Sequence, residues 1–231
     1  MFYENTAAIP LFLIFLPKFH FIEKQKIRTC SMDAISKNVF FVKEHKKVLS
    51  PLNNYDIVDP SNHDQILLEV REENLGGFDS ILRFSALSAT TPFKIAIREP
   101  KGETLCVISR GSTMFDSVIG ISDGEGNPVA TFETDFFAVF RAKAFLKVLD
   151  PSGNLLFTLK SKSGLEPDYL IQQEDKTIGK ITKKWAGIFQ ELFTTADNYA
   201  IEIEESIPAD DPKRLVILAC CICIDMILYE R

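Results

Sequence analysis

The sequence predicts an all-β fold, with about twelve short antiparallel strands and a single apolar helix at the C-terminus. Three observations point there. From Met32 onward apolar residues alternate with polar ones at period two rather than 3.6. The alternating runs are separated by tight turns of one design. The last segment, Leu215 to Tyr229, is apolar at every position except Asp225.

Composition sets the outer limits. A chain of 231 residues has room for one large domain, and 46% hydrophobic with 25% charged residues excludes a disordered protein. The 19 phenylalanines point to a thick aromatic core. Net charge is −6 with the signs well mixed. That excludes a nucleic-acid binder, which needs a basic stripe, and binding to acidic membranes by bulk charge alone. The cysteines are Cys30, Cys106, Cys220, Cys221 and Cys223, with no CxxC pair, and only three histidines are present. This pattern fits a reducing cytosol and small apolar fillers rather than a zinc site or a disulfide framework.

Residues 1–31 read as an apolar extension ahead of a domain at 32–231. The run from Ala7 to Pro17 is too short to span a bilayer. Glu4 precedes it and no lysine or arginine does, the reverse of a signal peptide. Two readings stay open: a tail or non-native start ahead of Met32, or a membrane-directing segment.

Each strand run then follows in order. "QILLEVR" sets Ile66, Leu68 and Val70 on one face. "FKIAIRE" does the same with Phe93, Ile95 and Ile97, and "NYAIEIEE" with Tyr199, Ile201 and Ile203. At Asp150 Pro151 holds φ and Gly153 supplies the permissive conformation; Glu99 and Asp123 open turns of the same kind. Variants at Asp59 and Asp175 place Asn62 and Lys176 in the tight position. Strands in such number must pack as a sandwich or close into a barrel. The stretch Lys183 to Thr194 allows one short helical turn.

For the final segment, Asp211 is the N-cap and Pro212 the first helical residue, where a missing N–H costs nothing. A helix apolar all round must be surrounded by protein or by lipid. Fifteen residues give about 22 Å, short of the roughly 30 Å hydrocarbon layer. Asp225 would cost on the order of 3 kcal/mol near a membrane centre. Both points favour an antiparallel barrel that sheathes the helix, with membrane insertion as the alternative. Asp225 then requires a partner inside the barrel and acts as a structural buttress.

"GKITKKWAGIFQELFTTADNYAIEI" (179–203), followed by "LVILACCICIDMILYE", closely resembles the C-terminal signature of the phospholipid scramblase family, which is related to tubby-like and LURP-one-related proteins. "NYDIVDPSNHDQILLEVREENLG" and "TPFKIAIREPKGETLCVISRG" look like its earlier strands. The resemblance covers roughly Asn38 to Glu230. It implies a tubby-like barrel of twelve strands around a hydrophobic helix, and calcium-stimulated movement of phospholipids between leaflets. The family's Asp-Ala-Asp-Asn segment, proposed to bind calcium, is matched here by Thr195-Ala196-Asp197-Asn198. Asp197 and Asn198 are thus weak metal candidates, with a strand entry in which both bond the turn as the other reading.

No GxSxG, P-loop, HExxH or strand-borne GxGxxG occurs, so a non-catalytic protein with no cofactor is expected, calcium apart. The expected function is scramblase-like, on or at phospholipid membranes. The alternative is a soluble tubby-like module that binds a lipid headgroup, an apolar ligand or a protein partner without scrambling. For either, Lys180, Lys183, Lys184, Trp185 and Phe189 form a basic and aromatic surface suited to a headgroup with an apolar anchor. A second reading has Trp185 plugging the barrel end beneath a solvated lysine rim. The expected location is the cytoplasm, peripherally at the inner face of the plasma membrane where lipid is bound.

Overall fold

The computed structural model describes residues 32–45, 52–74, 92–111, 118–134, 145–163, 166–183 and 198–228. A short helix, α1 (Met32–Ile35), precedes β1 (Val39–Glu44), β2 (Asn54–Asp59), β3 (Asn62–Glu72), β4 (Phe93–Arg98), β5 (Thr104–Arg110) and β6 (Val118–Asp123). There follow β7 (Pro128–Thr134), β8 (Phe145–Leu149), β9 (Leu155–Ser163), β10 (Glu166–Gln173), β11 (Lys176–Thr182), β12 (Tyr199–Ile203) and α2 (Lys213–Leu228). The strands form one closed antiparallel barrel in sequence order. It is sealed where β1 meets β12, with Phe40 opposite Ile201 and Val42 opposite Tyr199. Closure leaves no edge strand open to pairing with another chain.

Helix α2 fills the barrel. Every residue from Arg214 to Met226 is buried, and the helix packs on β5, β6, β7 and β12. Inward residues of the strands, among them Ile57, Ile95, Ile108, Phe132, Val148, Leu159 and Ile201, wrap it in one hydrophobic core. The core contribution of each such side chain is about 1.5–3 kcal/mol. The helix has no polar face because the barrel surrounds it. Among the described residues no helix is long and apolar enough to cross a membrane.

The antiparallel order gives the barrel two unlike ends. At one, here the turn end, β2–β3, β4–β5, β6–β7, β8–β9 and β10–β11 are joined by tight turns, and α2 begins there. At the other, the loop end, lie the connections β1–β2, β3–β4, β5–β6, β7–β8, β9–β10 and β11–β12, and α2 finishes there. The turns repeat one solution: Asp150 Oδ1 accepts the N–H groups of Ser152 and Asn154, both at 2.8 Å, while Oδ2 accepts Asn154 Nδ2 at 2.9 Å. Asp123 holds Asn127 in the same way. Gly153 takes φ +83°, a conformation that favours glycine.

Three details differ from the sequence reading. Ile66 is 38% exposed instead of inward, because the β2–β3 register shifts on both sides of Val58 and breaks the alternation. Leu67 joins the core in its place. In the β10–β11 turn the left-handed residue is Glu174 (φ 54°), not Lys176. Asn62 pairs with Asp59 as a strand residue, so Pro60 and Ser61 make that turn.

Candidate functional site at the loop end

Asp225 stands on the last turns of α2 and is 1% exposed. A carboxylate so placed needs donors for both oxygens. Tyr55, at the start of β2, donates to Oδ2 at 2.6 Å, and Tyr199, at the start of β12, donates to Oδ1. Both tyrosines occupy inward positions that the strand alternation dictates. Next to the carboxylate, Asn53 Nδ2 donates to Met226 Sδ at 3.3 Å, and the Asn53 N–H donates to Glu72 Oε2 at 2.8 Å. On the far wall the Arg110 guanidinium lies 4.9 Å from the Phe93 ring centroid. The barrel interior thus turns polar as it approaches the loop end.

Lys183 follows β11 and sets its ammonium 5.5 Å from the centre of the Tyr199 ring, whose hydroxyl holds Asp225. Asn198 precedes β12 and accepts the Glu44 N–H at 3.2 Å. Lys180 does not join them: its ammonium pairs with Glu202 at 3.0 Å on the wall between β11 and β12. Lys184, Trp185, Phe189 and Asp197 lie outside the described residues. On the outer rim Asp56 is clamped between His45 Nε2 at 2.6 Å and Arg71 Nη2 at 2.7 Å.

The helix start is equally specific. Lys213 N–H donates to Asp211 Oδ1 at 2.9 Å, and Val216 N–H to the Pro212 carbonyl at 3.3 Å. The Asp211 side chain therefore caps the start of α2, and Pro212 stands immediately before its first residue, Lys213, rather than as the first helical residue. Arg214 is buried, and its described hydrogen bonds run to backbone carbonyls and an amide oxygen. Its Nε donates to the Ile35 carbonyl at 2.7 Å and its Nη1 to that of Ile207 at 3.0 Å. Nη2 reaches the Ser36 and Lys37 carbonyls and Asn38 Oδ1. Burial lowers its pKa, with Asp211 opposing.

Sequence reasoning passed over Tyr55, Asn53, Arg110 and Arg214. For the tyrosines a signal was available, since each opens the inward face of a strand and offers a polar tip to a helix carrying one acid. Arg214 was visible as a charge just inside an apolar helix, but its acceptors come from a distant segment.

The four described thiols are all buried. Burial pushes Cys106 up to about 12 and Cys220, Cys221 and Cys223 well above the ordinary range, so thiolate is suppressed. Among the described residues no group of acids, histidines and cysteines is arranged to hold a metal ion. Of the calcium-like stretch, Asn198 and the residues of β12 are described. Asn198 Oδ1 is engaged by Glu44, Tyr199 and Ile201 point into the barrel, and Glu202 is bound to Lys180.

Comparison with known proteins adds a family. Residues 51–231 match the family model described as Scramblase. Phospholipid scramblase 1 of Mus musculus is 38% identical over 58 residues, 25% of this chain and 17% of that protein. Phospholipid scramblase 2 of Homo sapiens is 30% identical over 69 residues, 30% of this chain and 23% of the relative. Phospholipid scramblase family member 5 of Homo sapiens is 33% identical over 58 residues, 25% and 21% of the two chains. These matches span less than a quarter of the length of the relatives. No solved structure shows a significant match. The family match runs from just before β2 to the C-terminus, across the barrel and its helix, and the chain belongs to the Scramblase family.

Proposed function

We propose that the protein is a non-catalytic, scramblase-like protein that acts at phospholipid membranes, bound peripherally from the cytoplasmic side. The observation that carries this reading is the family match, which extends through the helix-bearing C-terminal segment. The barrel supports a peripheral mode: the apolar helix is enclosed, so contact with lipid is made by the barrel surface and its connections. Lys183, set over Tyr199 at the loop end, is the described member of the basic and aromatic stretch that faces such a surface. Lys184, Trp185 and Phe189 complete that stretch in sequence. No cofactor is required, and the engagement of Asn198 by Glu44 supports lipid binding without calcium.

The test is flotation of the full chain with phosphatidylserine-containing liposomes, with and without calcium, followed by a leaflet-exchange assay with fluorescent phospholipid. Flotation and exchange in both conditions are expected. Flotation without exchange reduces the function to lipid binding. A protein that stays at the bottom of the gradient refutes the membrane reading and leaves a soluble binding module.

A further inference from the structure

The buried thiols are divided between two sides of α2. Cys106 stands on the inner face of β5, paired by register with the buried Ile97 of β4, and is 2% exposed. Cys220 and Cys223 are fully buried and, three residues apart, share one side of the helix. Helix α2 packs on β5, with Cα atoms of the two elements within 8 Å of each other. After burial itself, Cys106 is among the groups that oppose ionisation of both Cys220 and Cys223, and Arg110, also on β5, acts on Cys223 in the opposite sense. Cys221 responds, after burial, to Asp225, the acid held by Tyr55 and Tyr199. The helix therefore turns Cys220 and Cys223 toward β5 and Cys221 toward the two tyrosines. Small side chains at this contact let helix and wall approach closely. A disulfide asks for the same closeness, with Cα atoms about 4.4–6.8 Å apart.

We infer that these thiols form a redox lock, in which oxidation joins Cys106 of β5 to the Cys220 and Cys223 side of α2 and ties the helix to the barrel wall. The lock does not rest on the membrane reading. Its oxidant is a small soluble disulfide, RSSR. One protein thiolate attacks a sulfur of RSSR and expels RS−, leaving a mixed disulfide; the facing protein thiolate attacks that bond at the protein sulfur and expels the second RS−. One S–S bond forms and one breaks, the two protein sulfurs are oxidised, RSSR is reduced, and both thiol protons leave on two RSH. In the closed barrel the thiols are buried and protonated, so neither attack starts there. Opening exposes them, and reclosure over the new bond fixes the helix in place. A bond between positions so far apart in the chain then restricts the opened state. A reducing thiol undoes it.

The test uses the full chain with Cys30→Ser, which leaves the four buried thiols. The protein is held with oxidised glutathione at room temperature and, separately, a few degrees below its thermal midpoint. It is then denatured, alkylated, cut with trypsin and analysed by mass spectrometry. The expected product joins peptide 102–110 to peptide 215–231, and forms about ten-fold faster or more near the midpoint, since opening accelerates steeply with temperature. The cross-linked protein should melt higher than the reduced one and return to the original midpoint on addition of dithiothreitol. Cys221→Ala should keep the cross-link, and Cys106→Ala should abolish it. Products confined to a bond between Cys220 and Cys221, to glutathione adducts or to pairs of chains overturn the lock. So does a cross-link that forms equally fast at both temperatures or leaves the midpoint unchanged.

Discussion

The hydroxyl of Tyr55 lies 2.6 Å from Asp225 Oδ2, joining a strand near the start of the domain to the end of its last helix. Tyr199 completes the arrangement from β12, with β1 between the two tyrosine strands. One buried acid thus ties the helix C-terminus to both sides of the barrel seam.

Removing one member takes a hydrogen bond from a buried group that remains. Tyr55→Phe should lower stability by about 1–2 kcal/mol, and Asp225→Ala by about 2–4 kcal/mol, since two tyrosine hydroxyls lose their acceptor. Urea unfolding midpoints of the single and double variants are the measurement, and a non-additive double variant shows that the three groups act as a unit.

Arg214 should be less replaceable still. Arg214→Met removes the only described donor group that gathers the carbonyls of Ile35, Ser36, Lys37 and Ile207, and about 3 kcal/mol or more is expected. Because three of those carbonyls precede β1, hydrogen exchange in β1 should speed up more than in β6. Uniform acceleration across the barrel would contradict this local role.

Acid sensitivity follows from the turns. Lys37, with Ser61, holds Asp59 down at about 2 against its ordinary 3.8. Asn154 lowers Asp150, and the bonds at Asp123 outweigh the burial that opposes them. A depressed folded pKa means that the unfolded chain binds more protons, so this stability is present above about pH 4 and is lost as pH falls toward 2. Asp59→Asn should be less stable at neutral pH and flatter between pH 4 and pH 2. Unfolding midpoints across that range decide it.

Cys106, Cys220, Cys221 and Cys223 should not react with a thiol reagent at pH 8 until the barrel opens. In a Cys30→Ser background the native protein should give almost no colour with a disulfide reagent, and four thiols should appear in denaturant. Fast native reaction would mean that the helix leaves the barrel on the timescale of the assay.

Adding a methyl group at Gly179 should disturb the pairing of β11 with β12. A Cβ there would stand 2.6 Å from the Glu202 carbonyl oxygen and 3.2 Å from Ile171 Cδ1. Gly179→Ala is expected to cost about 1–3 kcal/mol, read as a lowered thermal midpoint.

Local physics determined much of this protein from sequence alone. Period-two alternation set Phe93, Ile95, Ile97, Tyr199, Ile201 and Ile203 inward, and proline–glycine turns separated the strands, because both effects act within a few residues. An apolar segment too short for a bilayer and interrupted by Asp225 belonged inside the barrel for the same reason. Tertiary structure decided what depends on residues far apart in the chain. The register shifts beside Val58 exposed Ile66, and no pattern within β3 announces what its neighbour does. Tyr55 became the partner of Asp225, and residues 35–38 became acceptors for Arg214, only when barrel closure brought β1 and β2 to β12 and the helix. Lys180 was committed to Glu202 by the register of β11 with β12, which separates it from Lys183 despite their closeness in sequence. Where the register is regular, periodicity fixes which face a side chain takes, whereas closure and register shifts choose what it meets and, at Ile66, the face itself.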